Sequence, residues 1–135
     1  MTWEPRPVPN PTAETADYWA GASEERLLLP ECQDCGLIFY PPRTYCPDCF
    51  GETEYTEAAG TGIIHSYTVT SVVESWPDEH GPLVLAYVEL AEGPLMLTSI
   101  QNCDPDDVAV GADVTVTFEK TDDPDVGIPV FELSE

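Results

Sequence analysis

The sequence predicts a mainly β chain: a helix near its start, a four-cysteine metal ribbon behind it, and a small five-stranded barrel at its end. Three observations carry this. Two Cys-x-x-Cys pairs lie between residues 32 and 49. From Gly60 onward, short runs rich in β-branched and aromatic residues are separated by breaks rich in Gly, Pro and Asp. No helical period intervenes between those runs. At 135 residues the chain is long enough for one ordinary domain or two small ones, and its 42 % apolar content can furnish a core. The expected division is a proline-rich arm and helix over 1–25, the ribbon over 26–58 and the barrel over 59–135.

Pro5, Pro7, Pro9 and Pro11 make the first residues an extended arm. Asn10-Pro11 offers a helix start, with Asn as cap and Pro in the first turn. Thr12 to Glu25 reads as a short acidic helix, with Ala16, Trp19 and Ala20 on one face and Tyr18 at its edge. Gly21, or the turn near Ser23, is a point where it could end early. Trp19 either covers the core or anchors a partner.

Arg26 to Pro30 is a short strand leading into the first cysteine pair, and Leu37 to Tyr40 is its return, stopped by Pro41-Pro42. Ten residues separate Cys35 from Cys46. Each Cys-x-x-Cys makes a tight turn that aims two sulfurs at one point. Cys32, Cys35, Cys46 and Cys49 together fit a tetrahedral four-thiolate zinc site of the rubredoxin-like ribbon type. Gly36 suits the positive φ such a turn needs, and Pro47 stiffens the second turn. Disulfides, a redox dithiol and iron are the competing uses of the same sulfurs. With every position taken by sulfur, the metal has no open site, so a structural zinc is expected. Residues 50–59 bridge outward, with Tyr55 as apolar anchor and Gly51 at a turn.

Gly60 to Thr70 is the first long β run, with glycines where a small barrel bends. Trp76 to Pro82 is a loop, Leu83 to Leu90 a second strand, Glu92-Gly93 a turn and Pro94 to Ile100 a third strand. A polar loop over 101–112 precedes Val114 to Phe118, and a turn over Asp122 to Gly127 precedes Ile128 to Leu133. Five short strands with a bent first strand point to an OB-fold barrel, a plain β-sandwich being the alternative.

Twenty-six acidic residues face four basic ones, Arg6, Arg26, Arg43 and Lys120, for a formal charge of −22. The acids are dispersed and apolar residues are plentiful, which is the composition of a folded protein adapted to very high salt. At molar salt the Debye length falls to about 3 Å and self-repulsion is screened. Metal-binding cysteines, no secretory signal and no apolar run of membrane-spanning length place the chain in the cytoplasm and away from membranes. Cys103 has no Cys-x-x-Cys partner and reads as a small buried apolar residue. His65 and His80 lie far from it, and no base-plus-orienter arrangement marks a catalytic centre.

The order of helix, ribbon and barrel resembles the acyl-CoA-associated zinc-ribbon/OB-fold family, long catalogued as a domain of unknown function. The residues that carry the resemblance begin with Tyr18-Trp19, Cys32-x-x-Cys35-Gly36, Tyr40-Pro41-Pro42-Arg43 and Cys46-Pro47-x-Cys49. They continue with Gly60-Thr61-Gly62, Ser66-Tyr67-Thr68, Val88-Glu89-Leu90-x-Glu92-Gly93 and Pro129-Val130-Phe131. The match covers nearly the whole chain after the arm, and only the extreme acidity departs from the pattern. The resemblance implies a non-catalytic companion of thiolase-superfamily enzymes. Such a companion would hold a thiolase, or a thiolase and a hydroxymethylglutaryl-CoA synthase, in one complex. The acidity fits a haloarchaeal member.

Three function classes follow. As a scaffold, the chain would present Trp3, Tyr18, Trp19, Tyr40 and Trp76 to partners, with Arg43 and Tyr40 as the candidates to face a CoA shared with an enzyme subunit. An ordinary salt bridge is the competing role for Arg43. As a nucleic-acid-binding protein it would rest on fold analogy, against a charge that repels phosphates. As an enzyme it lacks a visible constellation. The scaffold reading is therefore preferred.

Overall fold

The chain is described over residues 8–71 and 81–134 by a computed structural model. Trp3, Arg6, Trp76 and His80, and most of the Trp76 to Pro82 loop, lie outside the described residues.

One α-helix, α1 (Ala16–Ser23), a single 3-10 turn (Pro105–Asp107) and seven strands are described: β1 (Leu28–Cys32), β2 (Thr53–Glu57), β3 (Thr61–Thr70), β4 (Leu83–Leu90), β5 (Leu95–Gln101), β6 (Asp113–Lys120) and β7 (Gly127–Leu133). Strands β1 and β2 form a two-stranded sheet, and the other five close into a barrel in the order β3-β4-β5-β7-β6. All barrel neighbours are antiparallel except β5 and β7, which pair in parallel at Ile100–Phe131 and Gln101–Glu132. This is the five-stranded OB arrangement expected.

The long first barrel strand serves two neighbours. Thr61–Ile63 pair with β6, and Gly62–Thr70 pair with β4. The register shifts between Ile64 and Ser66, which leaves His65 as the extra residue of a bulge. The glycines at its start answer two different demands. Gly60 turns with φ +81°, whereas a Cβ on Gly62 would lie 2.6 Å from Val88 Cγ1 and 2.7 Å from the Glu89 carbonyl oxygen.

A single apolar core joins all three parts. Phe131, Val88, Ile64, Val114 and Met96 fill the barrel, and Tyr18 of α1, Leu27 just before β1 and Leu29 within it belong to the same cluster. Val84, Ala86, Val88 and Leu90 of β4 are all buried, with Tyr87 and Glu89 between them exposed. That alternation is a half-buried strand's signature.

The structure departs from the sequence reading at three places. Helix α1 begins at Ala16 rather than Thr12, because residues 12–15 form a turn in which the Ala16 and Thr15 amides donate to the Thr12 carbonyl. Its buried side carries Tyr18, Gly21 and Ala22, while Ala16 is exposed and Trp19 is half-buried. Leu37 to Tyr40 is not a return strand: one bridge, Glu31–Ile38, joins it to β1. The partner of β1 is β2, from the segment read as a linker, in register from Leu28–Glu57 to Cys32–Thr53.

Candidate metal centre and adjoining cavity

The two knuckles sit at the end of the β1–β2 sheet. Cys32 is the last residue of β1, and Cys46 is fixed by its amide donating to the Gly51 carbonyl, 2.9 Å. In each knuckle the backbone folds over its first sulfur. The Cys35 and Asp34 amides donate to Cys32 Sγ at 3.3 and 3.4 Å, and the Asp48 amide donates to Cys46 Sγ at 3.4 Å. Gly36 turns with φ +78°, as expected. Gly51 is needed for another reason than a turn: a Cβ there would lie 2.6 Å from Asp34 Oδ2 and 2.9 Å from Cys32 Sγ. Its bare backbone lets the two knuckles close on each other.

All four sulfurs lie within 4.8 Å of one another, with Cys32–Cys49 at 3.5 Å and Cys35–Cys46 at 3.7 Å. Tetrahedral zinc at a Zn–S distance of ~2.3 Å sets sulfurs about 3.8 Å apart, so the group fits zinc. The spacing is far beyond a disulfide's ~2.05 Å, and all five cysteines are free thiols. Their surroundings shift two of these thiols in opposite directions. Cys32 is lowered to about 7, chiefly by the Cys35 amide. The Gly51 amide lowers Cys49, but the Cys32 and Cys35 thiols outweigh it and push Cys49 up to about 12. Cys32 and Cys46 are buried, and Cys35 and Cys49 are exposed.

Tyr40 and Arg43, three residues apart, face different spaces. Tyr40 lines an apolar cavity of about 230 Å³ with Tyr18 and Trp19 of α1 and Leu83, Leu97 and Pro129 of the barrel. Tyr18 and Trp19 meet edge to face with ring centroids 4.8 Å apart, and Tyr18 and Tyr40 lie 5.8 Å apart. Burial and the neighbouring Tyr40 hold the Tyr18 hydroxyl well above its usual pKa, so it stays a donor, to Tyr40. Arg43 lines a second, polar groove whose other members include Glu14, Asp17 and Glu54. There Glu14 accepts from both the amide and the hydroxyl of Thr44, at 3.0 and 3.1 Å, and its carbonyl accepts from the Tyr55 hydroxyl at 2.7 Å.

The other basic side chains described are engaged. Arg26 pairs with Glu57 at 3.1 Å, and the Lys120 ammonium donates to the Ser23 carbonyl. His65 is exposed on its bulge. Cys103 is half-buried against the core rather than fully inside, and burial with Asp107 and Asp104 raises its thiol, which disfavours the nucleophilic thiolate. Sequence reasoning missed the cavity, whose walls come from α1, the ribbon and three barrel strands. The aromatic pair Tyr18-Trp19 was the signal for it.

Comparison with known proteins follows the same outline. The family description "ChsH2, rubredoxin-like zinc ribbon domain" matches residues 19–55, and "ChsH2, C-terminal OB-fold domain" matches residues 55–119. A DUF35 domain-containing scaffold protein of Methanothermobacter thermautotrophicus is 38 % identical over 110 residues, covering 79 % of this chain and 83 % of that one. The chain belongs to the DUF35 family. Another relative is the 3-oxo-4,17-pregnadiene-20-carboxyl-CoA hydratase alpha subunit of Mycobacterium tuberculosis. It is 30 % identical over 127 residues, which are 94 % of this chain but 40 % of that subunit. Among solved structures, the DUF35 chain of an Ltp2-ChsH2(DUF35) aldolase superposes with a TM-score of 0.79 at 32 % identity, covering 93 % of this chain and 98 % of that one. No described helix is long and apolar enough to cross a membrane.

Proposed function

We propose that this DUF35 chain is a non-catalytic accessory subunit that holds a thiolase-superfamily enzyme, an acetoacetyl-CoA thiolase with or without a hydroxymethylglutaryl-CoA synthase, in a complex. The observation that carries the reading is the open apolar cavity of about 230 Å³ where helix, ribbon and barrel meet. It is smaller than the ~300–1,000 Å³ of a self-sufficient ligand pocket. A space of this kind is completed by a partner or holds only part of a ligand. Relatives support the same direction, since they are described as scaffold proteins and as a CoA hydratase alpha subunit, and the structural neighbour as an aldolase of two components.

Cys32, Cys35, Cys46 and Cys49 hold a structural zinc in this reading. The metal supplies rigidity, since four sulfurs leave no coordination position for a substrate. The ribbon (26–58) is then a fixed link between the arm and helix (1–25) and the barrel (59–135), although the ribbon match at 19–55 reaches back into α1. Acyl-CoA contact is through the Tyr40 side, where an apolar arm fits. Arg43 stands beside three carboxylates, so the partner supplies most of the cations for the CoA phosphates. We place the complex in a salt-rich cytosol.

The test is purification of the chain from its native lysate in high salt. A thiolase-superfamily subunit, identified by mass spectrometry, is expected in stoichiometric amount. Recovery of the chain alone, with no effect on thiolase activity when added back, overturns the reading.

A further inference from the structure

The second knuckle carries an anomaly that its metal chemistry does not use. Phe50 follows Cys49 as Gly36 follows Cys35. Both residues turn the backbone into the left-handed region, with φ +78° at Gly36 and +62° at Phe50. Glycine adopts that conformation freely, and a phenylalanine is strained in it. Phe50 gains nothing from burial in return. It is 80 % exposed, the most exposed large apolar side chain among the described residues. Tyr45, which enters the same knuckle and bridges to Glu52, is 56 % exposed. The backbone beneath is pinned, because the Phe50 amide donates to the Cys46 carbonyl and the Cys46 amide to the Gly51 carbonyl, both at 2.9 Å. An aromatic held out on a rigid tip has little conformational freedom left to lose on binding.

The surroundings define what it fits. From Cys32 to Glu57 the sequence has five acids, Asp34, Asp48, Glu52, Glu54 and Glu57, and one base, Arg43. Four thiolates around a divalent ion add further negative charge. An apolar tip in an acidic collar complements an apolar pocket with a basic collar. Among the described residues a second copy offers no such collar: Arg26 is engaged with Glu57, Lys120 with the Ser23 carbonyl, and Arg43 stands among Glu14, Asp17 and Glu54. We propose that Phe50, flanked by Tyr45, is an aromatic anchor that inserts into an apolar, Arg- or Lys-rimmed pocket of the partner enzyme subunit. The proposal rests on the accessory-subunit reading and names the part of this chain that makes the contact.

The experiment measures, by calorimetry in high salt, the affinity of the zinc-loaded full chain for the purified thiolase-superfamily subunit. Phe50→Gly removes both ring and strain and is expected to bind at least about 30-fold more weakly, the size of a hot spot. Its zinc content should stay at the wild-type level, and Phe50→Trp should retain binding. Wild-type binding with Phe50→Gly within about threefold of it overturns the anchor and leaves the accessory reading intact. No binding by the wild-type chain overturns both. A wild-type dimer in sedimentation that Phe50→Gly dissociates would assign the tip to a second copy and overturn the enzyme partner.

Discussion

Gly127 of β7 and Ala22 of α1 touch backbone to backbone. A Cβ on Gly127 would lie 2.5 Å from the carbonyl carbon and oxygen of Ala22 and from the amide of Ser23. The end of the helix is thus seated directly on the last barrel strand, and both residues are buried. Because the obstructing atoms are main chain, they cannot rotate away. Gly127→Ala should lift α1 from the barrel and destabilise the protein by about 1–3 kcal/mol, the usual cost of overpacking. Denaturant melting measures it; an unchanged midpoint would contradict the contact.

Cys46 is 1 % exposed and belongs to the four-sulfur cluster. Structural zinc contributes on the order of 10 kcal/mol in small sites. Cys46→Ser should therefore lose the metal and unfold the ribbon. Zinc analysis with circular dichroism checks this, and a folded, zinc-replete variant would exclude Cys46 as a ligand.

Alkaline pH should weaken the fold through Tyr55. Burial, with the Asp17 and Glu14 carboxylates beside it, pushes this hydroxyl up to about 12. The unfolded phenol titrates near ~10. The folded form holds its proton longer, so this stabilising contribution is complete below about pH 10 and lost as pH rises towards 12. Tyr55→Phe should flatten the fall in melting temperature across that window. It should also lower stability below it by about 1 kcal/mol, because the hydrogen bond to the Glu14 carbonyl is removed.

Salt should stabilise the chain strongly. With a formal charge of −22 on 135 residues, self-repulsion opposes the compact state. Raising potassium chloride from ~0.1 M to ~1 M shortens the Debye length from about 10 to 3 Å. A melting temperature that rises across this range is expected, and a flat or falling one would contradict the repulsion.

Most of the architecture was legible because its signals are local. The cysteine spacing announces the ribbon, and runs such as Leu83 to Leu90 announce half-buried strands. What escaped was set by tertiary packing. Strand β2, Thr-Glu-Tyr-Thr-Glu, buries no residue fully, so no apolar alternation marks it. Leu37 to Tyr40 looked like a strand because it is apolar, yet its apolarity serves the core, where Phe39 is buried and Ile38 packs. Helix α1 turns Gly21 and Ala22 inward, small residues whose close approach to the barrel leaves no hydrophobic pattern. The four cysteines were legible as one group. The separation of Tyr40 from Arg43 was not, since neighbours in sequence were assumed to share a surface.

Strand β7 is where the barrel closes, because it pairs with β6 along seven residue pairs and with β5 at two. During synthesis the metal knuckles, which need only residues 32–49, emerge long before it. The ribbon can therefore take its ion while the barrel is still an open sheet with β5 and β6 unjoined. Between those moments two strand edges are exposed to every other nascent chain.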